Sequence, residues 1–235
     1  IDIDDKTDLK NAERFLCLKL KKDTDGPVSR ILNRPISLMI SKVLLKTGIT
    51  PNQISVLSFI IGLAGASLFF FGEYFYLILG GIIVHIHSIV DGCDGEIARL
   101  KLRRTKYGGY LDSFLDRYVD AAIILGLTYG YWSISGDSMI WIMGFAAIIG
   151  SFINTYTGEK YDSIFKIRNG TGRINFRVGR DMRLLIIVVG ALTNQIPILL
   201  IIVAVLANFE AIRRLILFRN KLGNDVTDMH REFAN

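Results

Sequence analysis

The stretch Asp91-Gly92-Cys93-Asp94-Gly95-Glu96-Ile97-Ala98-Arg99 closes a long apolar run, and after a short basic loop the chain resumes with Gly108, Asp112, Asp116 and Asp120. On a helix, Asp91 and Asp94 fall one turn apart on one face, while Asp112, Asp116 and Asp120 step by four along one face of the next. A short loop makes two such helices antiparallel neighbours, so the carboxylates converge at one end of the pair. Both runs are long enough to cross a bilayer. Carboxylates at membrane depth are costly, and crowded like charges repel, so something positive must be held among them.

The rest of the sequence agrees with that placement. Of 235 residues, 51% are hydrophobic and 21% charged, with a mean hydropathy of +0.38. A soluble domain rarely runs so apolar and a disordered chain never does. Both figures hold together only if the charges are segregated from long apolar runs. We therefore expect an all-α, polytopic membrane protein with six transmembrane helices, at about 54–71, 75–98, 110–132, 139–157, 184–194 with its flanks, and 196–218. The segment 28–47 alternates Ile31, Leu32, Ile36, Met39, Ile40, Val43 and Leu44 with Arg30, Arg34, Lys42 and Lys46. It is too short and too charged to span, and is expected to lie in the interface as an amphipathic helix, bent at Pro35.

Loop charge sets the orientation. The turns near Gly72, Ser135 and Asn194 hold no Lys or Arg, whereas Arg99, Lys101, Arg103, Arg104 and Lys106 share one loop. Lys160, Lys166, Arg168, Arg173, Arg177 and Arg180 share another. The positive-inside rule then places the basic loops, the acid cluster and both termini in the cytoplasm of a multi-pass cell-membrane protein. The formal net charge of +6 comes from 28 Lys and Arg against 22 Asp and Glu, and no nucleic-acid partner is expected of it. The charged opening predicts no signal peptide. Cys17 and Cys93 stand apart with no metal-ligand spacing, which excludes a disulfide framework or a structural zinc site.

Two readings of the acid cluster compete on chemistry alone. Arg99, Arg103, Arg104 or Arg117 could pair with the acids as structural salt bridges, but that leaves unexplained why so many acids meet. An all-oxygen donor set instead suits a hard cation, Mg²⁺ or Mn²⁺. Gly92 and Gly95 leave room for a ligand to approach the backbone. His85 and His87 are read as packed or hydrogen-bonded rather than ligating. A divalent-cation transporter is a third possibility; it would be expected to distribute its acids through the depth of the bilayer, whereas these cluster at one end beside an arginine.

These residues resemble a known family. Asp91, Asp94-Gly95, Ala98-Arg99, Gly108, Asp112 and Asp116 fill every fixed position of the signature of the CDP-alcohol phosphotransferases, and Thr50-Pro51-Asn52 is similar to the segment that follows the family's interfacial helix. The resemblance covers about residues 28–220. It implies six transmembrane helices around a cytoplasm-facing cavity, and transfer of a substituted phosphoryl group from a CDP-alcohol to a second alcohol with release of CMP. It implies two Mg²⁺ or Mn²⁺ ions on Asp91, Asp94, Asp112 and Asp116, with Asp116 also the general base. Thr50, Asn52, Asp91, Gly95, Ala98, Arg99 and Gly108 would contact the CDP-alcohol.

Other features narrow the branch. In members that act on inositol phosphate, a basic pocket holds the acceptor's phosphate, and Lys160, Arg183 and Arg214 match it best; contact with lipid headgroups is the competing reading for each. Ile1-Asp2-Ile3-Asp4-Asp5 looks like the end of a nucleotidyltransferase domain, and Asp25-Gly26-Pro27 with Asn33-Arg34-Pro35 resembles the linker of bifunctional members. The resemblance thus divides the chain into a tail plus linker (1–27), the interfacial helix (28–47), the catalytic helices (48–222) and a cytoplasmic tail (223–235). It implies a fused upstream cytidylyltransferase domain, a homodimer, CDP-inositol as donor and inositol 1-phosphate as acceptor. A lipid synthase using CDP-diacylglycerol or CDP-archaeol carries the same signature. Asp120 and Asp181 are left without a role.

Overall fold

In the computed structural model, which describes residues 29–169 and 179–232, the chain is all α-helical, with no strand among the described residues. The expected tail and linker at 1–27, together with Arg173 and Arg177, lie outside these residues. Seven α-helices follow in order: α1 (Arg34–Leu45), α2 (Pro51–Phe69), α3 (Tyr74–Leu100), α4 (Lys106–Ser135), α5 (Met139–Asn169), α6 (Arg180–Leu192) and α7 (Ile196–Glu232). A π-helical turn, Ser29–Asn33, leads into α1. Pro35 does not bend the middle of this helix. It sits in the first turn, where its missing N–H leaves no bond unmade.

Local chemistry sets the helix ends nearest the acids. Thr50 caps α2 in a reciprocal pair, its Oγ1 accepting from the Gln53 N–H at 3.4 Å while Gln53 Oε1 accepts from the Thr50 N–H at 2.9 Å. Thr105 caps α4 by accepting from the Gly108 N–H at 2.9 Å. At the opposite end of the bundle, Gly72 takes φ +72° and lies against the backbone of Gly130. A side chain at either position would meet main chain, so two turns of different helices touch there only because both are glycine.

Packing joins α2 to α3 and α4, α5 to α7, and α6 to α3 and α7. The core between them is built by Phe69, Leu77, Val84, Val119, Ile123, Leu127, Ile187, Leu200 and Val203. The stripe Gly62, Gly65 and Ala66 on α2 is buried inside the chain, where a Cβ on Gly62 would come within 2.7 Å of Val119 Cγ1. The outer surface is apolar: Leu57, Ile60, Ile142, Phe145, Val205, Phe209 and Leu215 are all more than half exposed. A belt of this kind suits lipid rather than water.

Among the described residues, four stretches are long and apolar enough to cross a membrane: Pro51–Phe69, Tyr74–Leu100, Met139–Tyr161 and Ile196–Arg219. The other two expected spans differ for physical reasons. α4 is long enough but interrupts its apolar residues with Asp112, Asp116, Arg117 and Asp120. α6 has 13 residues, and at ~1.5 Å per residue covers only about two-thirds of a ~30 Å hydrocarbon layer.

Candidate active site

Four helix ends meet around the acids: the start of α2, the last turns of α3, the first turns of α4 and the first turn of α6. Ser55 on α2 donates to Asp94 Oδ2 at 2.5 Å and so fixes that carboxylate from the side. Asp94 and Asp112, on α3 and α4, face each other within hydrogen-bonding reach. These two acids therefore meet across the two helices, as the helical spacing predicts. The donor set is oxygen-rich and hard, as a divalent cation of the Mg²⁺ type requires.

Arg180 enters the cluster from α6. Its Nη1 lies 2.9 Å from Asp91 Oδ2 and 2.9 Å from Asp116 Oδ1, and its Nε lies 2.9 Å from Asp120 Oδ1. The remaining nitrogen, Nη2, is 2.8 Å from His87 Nε2. His87 is buried, with Nδ1 2.9 Å from the Ser58 carbonyl. An Nδ1–H donating to that carbonyl leaves Nε2 as the acceptor that Arg180 needs, so the ring's tautomer is set from both sides. One oxygen each of Asp91 and Asp116 and a His87 ring nitrogen lie within 4.8 Å of one another, close enough to hold one ion.

The sequence places Arg180 among the basic residues that follow the fourth expected span, near the acceptor pocket, without pairing it with the acids; the signal it carries is the Arg180, Arg183 pair three apart at a helix start. Asp120, left without a role, receives both arginines: Arg183 Nη2 is 3.4 Å from its Oδ2. Asp181 accepts from the Ser29 N–H at 3.0 Å.

Beside the acids opens a cleft of about 170 Å³. Of the residues expected to contact a CDP-alcohol, Asn52, Gly95, Ala98, Arg99 and Gly108 line it, together with Asp94 and Asp112. Gly108 packs so close that a Cβ there would meet Asn52 Oδ1 at 2.9 Å. Thr50 caps α2 at the cleft's edge instead of lining it. Ser55, Arg103 and Arg104 line it as well, and add two positive charges to its mouth.

The three residues expected to hold an acceptor phosphate sit on three different helices, Lys160 on α5, Arg183 on α6 and Arg214 on α7. Lys160 is exposed, its ammonium 5.9 Å from the centre of the Tyr156 ring. Arg183 is buried and donates from Nη1 to the Ser151 carbonyl at 3.0 Å. Arg214 is buried too, 3.1 Å from Glu210 Oε1 and bonded to the Asn154 carbonyl. Both arginines thus tie α5 to a neighbouring helix as well as carrying charge.

An all-helical bundle with an apolar outer belt, whose acids and arginines gather beside one cleft, defines a membrane-type protein with a charged site at one end of its helices. Residues 48–208 match the CDP-alcohol phosphatidyltransferase family, and the chain belongs to it. It is 36% identical over 232 residues to the "Bifunctional IPC transferase and DIPP synthase" of Aquifex aeolicus, covering 95% of this chain and 51% of that one. It is 32% identical over 176 residues to the archaetidylinositol phosphate synthase of Pyrococcus horikoshii, covering 74% of this chain and 86% of the relative. The chain spans about half the length of the bifunctional relatives it matches. In fold it is similar to Mycobacterium tuberculosis phosphatidylinositol phosphate synthase with CDP-DAG bound, at a TM-score of 0.64 and 25% identity over 77% of this chain and 92% of that one. It is also similar to the same enzyme in complex with manganese and citrate, at a TM-score of 0.63 and 25% identity over 76% of this chain and 87% of that one.

Proposed function

We propose that this chain is the membrane part of an enzyme that transfers inositol phosphate from CDP-inositol to the hydroxyl of inositol 1-phosphate and releases CMP. The observation that carries the reading is that Asp94 and Asp112 line a cleft with Arg99, Arg103 and Arg104, while Asp91 and Asp116 stand with His87 close enough together to hold an ion. Those four carboxylates would hold two Mg²⁺ or Mn²⁺ ions. When bound, such ions neutralise the donor's pyrophosphate and favour in-line displacement.

The chain's own residues do the rest. Gly95, Ala98 and Gly108 leave space for the nucleotide, Asn52 borders it, Thr50 holds the start of α2, and Arg99 reaches the phosphates as a charge-assisted donor. Asp116 accepts the proton of the attacking hydroxyl, which raises that oxygen's nucleophilicity. Lys160, Arg183 and Arg214 form the basic wall for the acceptor's phosphate, with Arg183 and Arg214 contributing charge from inside it. No covalent enzyme intermediate is needed, since positioning and charge stabilisation suffice for phosphoryl transfer.

The domain reading follows: a tail and linker at 1–27 from a cytidylyltransferase fused upstream, an interfacial helix within 28–47, six spans over 48–222 and a cytoplasmic tail at 223–235. The active site and both termini face the cytoplasm, and the protein forms a homodimer. A phospholipid synthase using CDP-diacylglycerol or CDP-archaeol remains the second reading, supported by the likeness to archaetidylinositol phosphate synthase. The test is CMP release by purified protein offered CDP-inositol or CDP-diacylglycerol, each with inositol 1-phosphate and Mg²⁺. Release from CDP-inositol alone supports the first reading, release from CDP-diacylglycerol alone the second, and none from either overturns both.

A further inference from the structure

Glu96 lies inside the signature stretch, between Asp94 and Arg99, yet it points away from the cleft. Its carboxylate is fully buried and both oxygens are taken by α1. Arg34 Nη1 donates to Oε1 at 2.6 Å, Ser37 Oγ to the same oxygen at 2.7 Å and Ser41 Oγ to Oε2 at 2.7 Å. Arg34, Ser37 and Ser41 fall on one helical face. That face is the buried one, while Ile31, Met39 and Val43 point outward at 76%, 69% and 65% exposure. The polar residues of α1 thus clasp α3, beside Ile40, Leu44 and Leu45, which pack against the cluster of Ile54, Cys93 and Ile97.

More contacts run along the same seam. Asn33 Nδ2 donates to Ser88 Oγ at 3.0 Å, and Cys93 Sγ lies 3.5 Å from the Ser37 carbonyl. Beyond α1, Lys101 Nζ donates to the carbonyls of Thr47 at 2.9 Å and Ile49 at 2.8 Å, which pins the segment leading into Thr50 and Asn52. The last turns of α3 are therefore gripped at Glu96 and Lys101 by the segment that sets where α2 begins. Arg99 and Asn52 both line the cleft, and this grip acts on their relative position together with the Ser55–Asp94 bond between α2 and α3. A buried ion pair adds little stability over an apolar pair of the same shape, but it does define a single register.

We infer that Glu96 is a positioning residue for the donor nucleotide: by locking Arg34, Ser37 and Ser41 it holds the α2 and α3 walls of the cleft at the spacing a CDP group needs. The inference rests on the proposed function, since it takes the cleft to be the nucleotide site. Glu96→Gln keeps the shape, removes the charge and leaves Arg34 facing a neutral group. Loss of a charged hydrogen bond then predicts a rise of about tenfold in the donor KM, with kcat and the acceptor KM close to the parent's. The double variant Arg34→Met/Glu96→Gln removes both charges and should bring the donor KM most of the way back.

The experiment measures CDP-inositol turnover and, separately, the Kd of CDP with Mg²⁺ by calorimetry on detergent-purified protein. Ser41→Ala, which deletes one hydrogen bond and no charge, serves where Glu96→Gln does not fold, and should weaken CDP in the same direction. Folded variants with the parent's CDP Kd and donor KM overturn the inference. So does a double variant as impaired as the single, which would make Glu96 merely a structural acid. A parent that binds CDP yet releases no CMP overturns the proposed reaction but not this role, which is then read from the CDP Kd alone.

Discussion

The guanidinium of Arg180 stands 2.9 Å from a carboxylate oxygen of Asp116. The same nitrogen reaches Asp91 at 2.9 Å, so one side chain neutralises two acids that crowd each other across α3 and α4. Arg180→Gln removes that charge and leaves the acids to repel. Melting in EDTA should fall below the parent's, and added Mn²⁺ should raise it by more than it raises the parent. Saturation at ~100 times Kd supplies about 2.7 kcal/mol, or roughly 5–10 °C for a chain of this size. A metal-induced rise no larger than the parent's would mean that Arg180 does not balance this cluster.

Arg183 has two possible duties, and one substitution separates them. It bridges the Ser151 carbonyl and Asp120 from a buried position, so Arg183→Ala should lower stability by removing the α5 tie and one of the two arginines on Asp120, leaving that acid to Arg180. If its charge also faces the acceptor's phosphate, the acceptor KM should rise about tenfold or more, as loss of a charged hydrogen bond implies. Melting and acceptor KM measured together decide it. A lower melting temperature with an unchanged acceptor KM would remove Arg183 from the acceptor site.

The far end of the bundle offers a control remote from the chemistry. A Cβ at Gly130 would run into the Phe69 carbonyl and come within 2.9 Å of the Gly72 nitrogen. Both obstacles are backbone and cannot turn aside as a side chain would. Gly130→Ala should therefore destabilise by ~1–3 kcal/mol or more, read as a lower melting temperature in detergent, while CMP release below that temperature stays near the parent's. Unchanged melting would show that α2 and α4 can separate there at no cost.

What the sequence disclosed was what periodicity encodes. Asp91, Asp94, Asp112 and Asp116 were legible because helical spacing turns their positions into one face on each of two neighbours. The apolar runs were legible by length, though α4 and α6 show how charge or brevity blurs that signal. Arg180 was not legible, because a positive charge near a helix start reads the same whether it meets lipid or enters an acid cluster. Glu96 was hidden for the opposite reason. A lone acid in a signature suggests the active site, and only the pairing with Arg34, 62 positions away, shows that it faces elsewhere. Contacts between distant segments leave no local pattern to read.

Asp116 carries the most exacting expectation. It lies one turn beyond Asp112 on α4, within reach of Asp91 and Arg180, so it can serve both a bound cation and an incoming hydroxyl. Asp116→Asn keeps the shape and one acceptor oxygen but loses the charge and the basicity. Loss of general-base action should lower turnover by about 10²- to 10⁴-fold. The fold should survive, because removing one of several crowded carboxylates relieves repulsion, and Arg180 keeps Asp91, Asp120 and His87 as partners. Donor binding should largely persist, held by Asp94, Arg99 and the cleft walls. Turnover and CDP affinity are to be measured together at saturating Mg²⁺, on protein whose elution profile matches the parent's. Turnover within about threefold of the parent, far short of the general-base range, would show that another group takes the proton. A variant that binds no CDP would instead make Asp116 chiefly a ligand of the cation on which donor binding depends.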